Sequence, residues 1–328
     1  MHHGVFCQIA IPRPKPISRV FEQMRCVTIV AMPKPSCTLL PALAVVAVSG
    51  RDARTFLQGQ LTNDLLGLER HPGLLAAACS PEGRVLEILR LAADDDAVLI
   101  VVRRTLAASL AARLRKFVLR AAVSIEIRSE EHGVAGLMNA APDASWSQMR
   151  PTIAGLTMML AGPRRMLLLG AGAKLGNVLD HSGQASPGDW DRACIEDGEP
   201  TLYPETAGHW IPQMLNLDLL SALSFTKGCY VGQEIVARTQ HLGRIKRRML
   251  RYTGPAGASY TPGQALYRGG SQAAQVVASC ADARGVELLA VTELRYCSDL
   301  LGGGNGAAEL VPAELPYSIP AAAAAAGA

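Results

Sequence analysis

The stretch Ser224-Phe225-Thr226-Lys227-Gly228-Cys229-Tyr230-Val231-Gly232-Gln233-Glu234-Ile235-Val236-Ala237-Arg238 holds the densest set of groups that could do chemistry. Lys227-Gly228 reads as a tight turn, and Tyr230–Gln240 as a helix with Val231, Ile235 and Val236 toward the core, ending near Gly243. Cys229 then falls at a helix N-terminus, where unpaired N–H groups and the helix dipole favour an anion, and Lys227 adds a cation two residues away. Both effects lower a thiol pKa, which makes Cys229 a candidate reactive thiolate. A buried structural cysteine, packing as a small hydrophobe, is equally compatible with the same residues. Gln233 and Glu234 add polar groups one turn along, and Arg238 follows Glu234 at the spacing of an ion pair on one helix face.

Spacing excludes several other chemistries. The eight cysteines stand singly and form no C-x-x-C, which removes zinc ribbons, thioredoxin-type chemistry and cysteine-run iron–sulfur ligation. Such scatter in a chain of 328 residues fits reduced thiols in a cytoplasm. The histidines form no H-x-x-x-H, so no metal site is indicated. Gly170-Ala171-Gly172-Ala173-Lys174-Leu175-Gly176 is one residue too long for a dinucleotide fingerprint and reads as a glycine turn.

Charge narrows the partners. The formal charge of +4 comes entirely from residues 1–40, where Arg13, Lys15, Arg19, Arg25 and Lys34 face Glu22 alone. Residues 41–328 are neutral, which disfavours sequence-independent binding to phosphates. In the run Arg244, Lys246, Arg247, Arg248, Arg251, strand alternation would put Arg244, Lys246 and Arg248 on one face as a small phosphate-attracting stripe. No aromatic residue interrupts the run to make a base-stacking platform, and direct RNA binding is disfavoured.

The elements that must position these groups follow from patterning. Hydrophobic residues make up 49% and charged residues 18%, enough apolar material for a folded core in about two domains. Residues 1–38, with five prolines, read as a leader: disordered, a mis-chosen start, or a targeting segment. The apolar run Leu39–Val48 is too short to span a bilayer, and Leu43–Val48 predicts the first strand. Ser49 is a plausible N-cap for a short helix over Arg51–Leu61. Val85–Leu91 and Ala97–Val102 flank Asp94-Asp95-Asp96 as a hairpin, Thr105–Leu119 has helical apolar spacing, and Ala122–Ile127 alternates like a strand. Met166–Leu169 predicts a strand, with helices from about Ala173 and near Trp190–Asp197. From Arg244 to 297, short apolar runs between Gly-Pro turns predict a small β-barrel or sandwich. Residues 298–328 read as a low-complexity tail. The fold class is α+β.

Three ordered motifs carry a family resemblance. Lys227-Gly228-Cys229-Tyr230-Val231-Gly232-Gln233-Glu234 is similar to the K-G-C-Y-x-G-Q-E signature of the YgfZ-type folate-binding proteins, relatives of the aminomethyltransferase (T-protein) of the glycine cleavage system. Phe56-Leu57-Gln58-Gly59-Gln60-Leu61-Thr62-Asn63-Asp64 and Ile211-Pro212-Gln213-Met214-Leu215-Asn216-Leu217-Asp218 agree with it. The resemblance implies a two-lobed folate-binding region over 39–243 followed by the small β-barrel over 244–297. It implies a tetrahydrofolate cofactor and a cytoplasmic accessory role in assembly or repair of iron–sulfur clusters, with client enzymes or assembly factors as partners, some of the clients modifying tRNA. Cys229 and Lys227 would carry the chemistry, and Arg84, Glu196, Asn216, Tyr230, Gln233 and Glu234 would line the folate site. Glu196 would accept two parallel hydrogen bonds from the pterin edge, or be a helix-surface acid. The alternative activity is tetrahydrofolate-dependent aminomethyl or one-carbon transfer. Its acid pair is reduced here to Glu87 in Gly83-Arg84-Val85-Leu86-Glu87-Ile88, which departs from the transferase pattern.

Overall fold

The computed structural model describes residues 35–95, 97–128, 132–139, 155–303 and 309–320. The chain opens with β1 (Ser36–Leu39), β2 (Leu43–Ser49) and α1 (Ala53–Gln58), followed by β3 (Leu74–Cys79), β4 (Val85–Asp94) and β5 (Ala97–Arg103). Next come α2 (Arg104–Phe117), β6 (Ser124–Ile127), β7 (Gly133–Met138), β8 (Thr157–Gly162), β9 (Arg165–Gly170), α3 (Gly172–Asp180) and β10 (Gly183–Gln184). Helices α4 (Pro187–Glu196) and α5 (Gln233–Leu242) bracket a long irregular segment. Strands β11 (Arg247–Gly254), β12 (Ala265–Arg268), β13 (Ser271–Asp282), β14 (Gly285–Glu293), β15 (Leu301–Gly302) and β16 (Glu309–Ala313) complete the fold.

Two five-stranded sheets and a closed barrel result. The first sheet has the antiparallel order β3-β4-β5-β2-β6, and the second the order β10-β1-β7-β9-β8 with only the short β1–β10 pair parallel. The continuous apolar runs at β2 and β5 reflect burial on both faces. Ala44, Val46, Val48, Val98 and Ile100 pack toward α1 and α2, while Val45, Ala47, Leu99 and Val101 meet Val134, Met159, Leu167 and Leu169 of the second sheet. Helix α4 starts where the sequence offers Pro187 at its first position and a capping box between Ser186 and Asp189. Strand β9 is antiparallel to β7 and β8, so the Gly170–Gly176 stretch lacks the parallel frame of a dinucleotide site.

Several sequence expectations shift. Strand β1 begins at Ser36, so the last three residues of the stretch read as a leader, 36–38, are strand; residues 1–34 lie outside the described residues. Asp52 rather than Ser49 stands at the N-cap position of α1, because Gly50 takes φ 105° and turns the chain before the helix can start, and Asp52 Oδ2 accepts from Ala122 N–H (2.7 Å) rather than capping the helix. The barrel runs from Arg247 to Ala313 in the order β11-β14-β13-β12-β15-β16, and β16 pairs with β11 to close it. The stretch read as a tail from 298 therefore supplies two barrel strands. One is only two residues long and the other contains Pro312, both too weak a pattern to stand out. No helix among the described residues is long and apolar enough to cross a membrane.

Candidate functional site

The motif Phe56–Asp64 builds the floor of the site. Thr62 Oγ1 donates to the Ala222 carbonyl (2.8 Å) and accepts from Ala77 N–H (2.8 Å). Asn63 Nδ2 donates to the carbonyls of Leu75 (2.7 Å) and Ser221 (2.8 Å). These bonds hold the 221–226 segment against β3, and Ser224 N–H donates to the Thr62 carbonyl (3.0 Å). Two backbone carbonyls of the same motif are left facing inward, and Lys227 takes both. Its Nζ donates to the carbonyls of Leu61 (2.7 Å) and Asn63 (2.7 Å), with the Tyr230 ring centroid 5.3 Å away. Burial strips water from this ammonium and brings its pKa down to about 8, against the pull of Asp64.

Tyr230 is the second anchor. Its ring is buried beside Cys79, its phenol is pushed up by burial, and its Oη has no hydrogen-bond partner among the described residues. Its N–H donates to Gln233 Oε1 (3.1 Å), so the Gln233 side chain closes the loop on itself. Between the two buried anchors, Cys229 is exposed.

Helix α5 begins at Gln233, which corrects the expectation that Cys229 sits at a helix N-terminus. The reason is Gly232, at φ 83°, pressed onto the β3–β4 turn: a Cβ there would lie 2.5 Å from the Ser80 carbonyl oxygen. Gly83, at φ 70°, meets the other side of the contact, where a Cβ would lie 2.9 Å from Ile235 Cβ. Left-handed backbone and close approach together require glycine at both positions.

The remaining candidates divide. Gln233 belongs to the Cys229 loop, and Glu234 is exposed on α5. Arg84 lies at the same turn, its Nη1 donating to the His209 carbonyl (2.8 Å). Asn216 is fully buried and serves the barrel, its Nδ2 donating to the Met249 carbonyl (2.7 Å) and to Tyr317 Oη (3.3 Å). Glu196 is the exposed last residue of α4, outside the lining of the hollow described next. Glu87 is buried on the face of β4 that carries Leu89 and Leu91, its Oε2 accepting from Arg113 Nη2 (2.7 Å). Burial raises its pKa against the opposing Arg113 charge.

The opposite face of β4 borders a hollow of about 80 Å³, lined by Ile88, Arg90, Arg165, Trp190, Cys194 and Glu199 among others. Arg90 Nε and Nη2 donate to the two oxygens of Glu199 (3.1 and 2.6 Å), and its Nη groups reach the Leu160 and Ala161 carbonyls of β8. Arg165 donates to Asp197 (2.6 Å), Glu199 (2.8 Å) and Cys194 Sγ (2.9 Å) beside the Trp190 ring. Burial pushes the Cys194 thiol up to about 12 despite that guanidinium. Although burial works against it, the two arginines hold Glu199 below its ordinary range. This network joins the two sheets. Its only sequence signal was lone cations in otherwise apolar strands.

The basic stripe does not form. Strand β11 starts at Arg247, and Arg248 is buried in a bidentate pair with Asp218 (2.6 and 2.9 Å). Arg251 pairs with Glu287 (2.9 Å) and Arg247 with Glu293 (2.7 Å), so carboxylates of the chain itself neutralise most of the run. No group of His, Cys, Asp and Glu among the described residues is arranged to hold a metal ion.

Two stacked sheets with a closed barrel after them make an aminomethyltransferase-like fold. The chain superposes on the glycine cleavage system aminomethyltransferase T from Bartonella henselae with a TM-score of 0.70 over 86% of each chain, at 14% identity. No protein-family model matches the chain. It is 32% identical over 228 residues to the tRNA-modifying protein YgfZ of Enterobacter sp. (strain 638), covering 65% of this chain and 70% of that one. It is 29% identical over 232 residues to the protein of the same name from Colwellia psychrerythraea, covering 66% and 71%. The chain belongs to the YgfZ family.

Proposed function

We propose that this chain is a cytoplasmic accessory protein for iron–sulfur enzymes, tRNA-modifying ones among them, and that it acts through the thiol of Cys229. The observation that carries this reading is the exposure of Cys229 between the buried anchors Lys227 and Tyr230. A cysteine kept for packing would be inside. Here the loop is anchored by Lys227 and Tyr230 on either side, and the thiol between them is exposed. The names of the YgfZ relatives support the link to tRNA modification, and the six cysteines among the described residues, all free, support a reducing compartment.

Tetrahydrofolate is the ligand the family resemblance suggests; none of the residues expected to hold it lines the hollow bordered by β4. As folded, the hollow does not fit it. Its 80 Å³ is well below the roughly 150 Å³ that accepts a benzene ring, and both oxygens of Glu199 are already bonded by arginines. Folate binding in this hollow would require it to widen, and no step of the proposed role runs through it.

Aminomethyl transfer is the weaker reading, because it asks for a carboxylate within hydrogen-bond reach of the reacting nitrogen. Glu87 lies on the face of β4 away from the hollow and is paired with Arg113.

The test is the activity of a cluster-dependent tRNA-modifying enzyme in cells lacking the native protein. Wild type restores it and Cys229→Ser leaves it at the level of the deleted cells, with an unchanged melting temperature; full restoration by Cys229→Ser would overturn the reading. A titration with tetrahydrofolate settles the ligand separately, and turnover of an aminomethyl donor that is lost in Glu87→Gln would restore the transferase.

A further inference from the structure

The exposed face of α5 is poorly suited to remain in water. Helical spacing puts Glu234, Ile235, Arg238, His241 and Leu242 on one side, while Val236 points into the core. Leu242 is 84% exposed, and Ile235, which packs against Gly83 on one side, is still 37% exposed; together they make an apolar centre on a helix that otherwise ends in polar groups. Cations flank it along the chain. Arg238 and Lys246 are exposed and take part in none of the ion pairs among the described residues, and Arg244 is exposed between them. Glu234 is the one carboxylate in the segment from Gln233 to Lys246, and it forms no ion pair with Arg238 among the described residues. The contact of Phe225 with His241 (6.0 Å between ring centroids) ties the end of the helix to the segment that leads into the Cys229 loop.

An apolar centre with a charged rim is the anatomy of a protein interface. The sign of the rim selects the partner. A second copy of this chain would bring cations against cations, and like charges at an interface are strongly unfavourable. A nucleic acid would need a longer row of available cations, and Arg247, Arg248 and Arg251 are already neutralised by Glu293, Asp218 and Glu287. A partner whose own apolar patch is bordered by aspartates and glutamates satisfies both features.

We propose that the exposed face of α5 and the linker after it, through Lys246, form a docking surface for an acidic protein patch, and that docking there brings the partner to Cys229. This rests on the reading of Cys229 as the functional thiol.

The experiment places the photo-crosslinker benzoylphenylalanine at position 242 of the full chain, in cells lacking the native protein, and identifies the crosslinked peptide by mass spectrometry. The expected product is a peptide of another protein with an excess of Asp and Glu. Its yield should fall about tenfold in an Arg238→Glu/Lys246→Glu background, the scale of losing a central interface contact, while the melting temperature is unchanged. A nuclease-sensitive adduct, a peptide of this same chain, a peptide without acidic excess, or no adduct would each overturn the proposal. If Arg238→Glu/Lys246→Glu supports the client enzyme fully while Cys229→Ser does not, docking fails and the thiol role stands. If Cys229→Ser is silent, the underlying reading fails whatever the crosslink shows.

Discussion

Replacing Lys227 with methionine keeps an unbranched side chain, one atom shorter, and removes the three N–H donors. In the folded protein that leaves the carbonyls of Leu61 and Asn63 without the two 2.7 Å hydrogen bonds they now accept. Each unpaired buried carbonyl costs about 1–3 kcal/mol. Relief from burying a cation offsets part of this, and the net loss at pH 7 should be about 2–3 kcal/mol. A chain of 328 residues, with an unfolding entropy of about 2.1 cal/mol/K per residue, should then melt roughly 3–4 °C lower. The pH dependence gives a sharper test. The folded pKa of Lys227 is about 8 against an ordinary value of 10.5, so between these pH values the unfolded chain holds more protons than the folded one. Stability contributed by this group therefore rises with pH across that window, and the penalty of burying the ammonium is fully present below it. Lys227→Met lacks the gain, so urea titrations at pH 7 and pH 10 should show the gap between wild type and variant widening at the higher pH. A gap that narrows, or a loss below about 0.5 kcal/mol at pH 7, would refute the account of Lys227 as the clamp of the Cys229 loop.

The other predictions concern the same frame. Arg165→Met should destabilise by about 3–5 kcal/mol in urea, because it strands Asp197 and one of the two arginine contacts of buried Glu199; a loss under about 1 kcal/mol would show that the network does not hold the sheets together. Gly232→Ala should cost about 2–4 kcal/mol from its left-handed backbone and the contact with Ser80, and should lower support of the client enzyme along with the melting temperature, whereas Gly228→Ala, with open space around its missing Cβ, should change neither by much. In the native state a thiol reagent should modify Cys229 and Cys297, both exposed, and spare Cys37, Cys79 and Cys194, whose pKa values burial pushes up to about 11, 12 and 12. Peptide mapping checks this residue by residue, and early modification of Cys79 would contradict the packing beneath Tyr230.

The sequence by itself determined the α+β class, the places of most strands and helices, and the family. These depend on local pattern: apolar runs at Leu43–Val48 and Ala97–Val102, the helical spacing of Leu106, Leu110 and Leu114, glycine-proline turns after Gly254, and three ordered motifs. Which way a residue faces is another matter. A spacing rule put Cys229 on a helix end, and contact with the β3–β4 turn moved that end to Gln233. The run Arg244–Arg251 read as one stripe until carboxylates from Asp218, Glu287 and Glu293 met it. Lys227 read as a neighbour lowering a thiol pKa, and it proved to be a buried clamp for two carbonyls more than 160 residues earlier. Burial, charge pairing and the close approach of two glycines arise between segments remote in the chain, and only the tertiary structure brings those segments together.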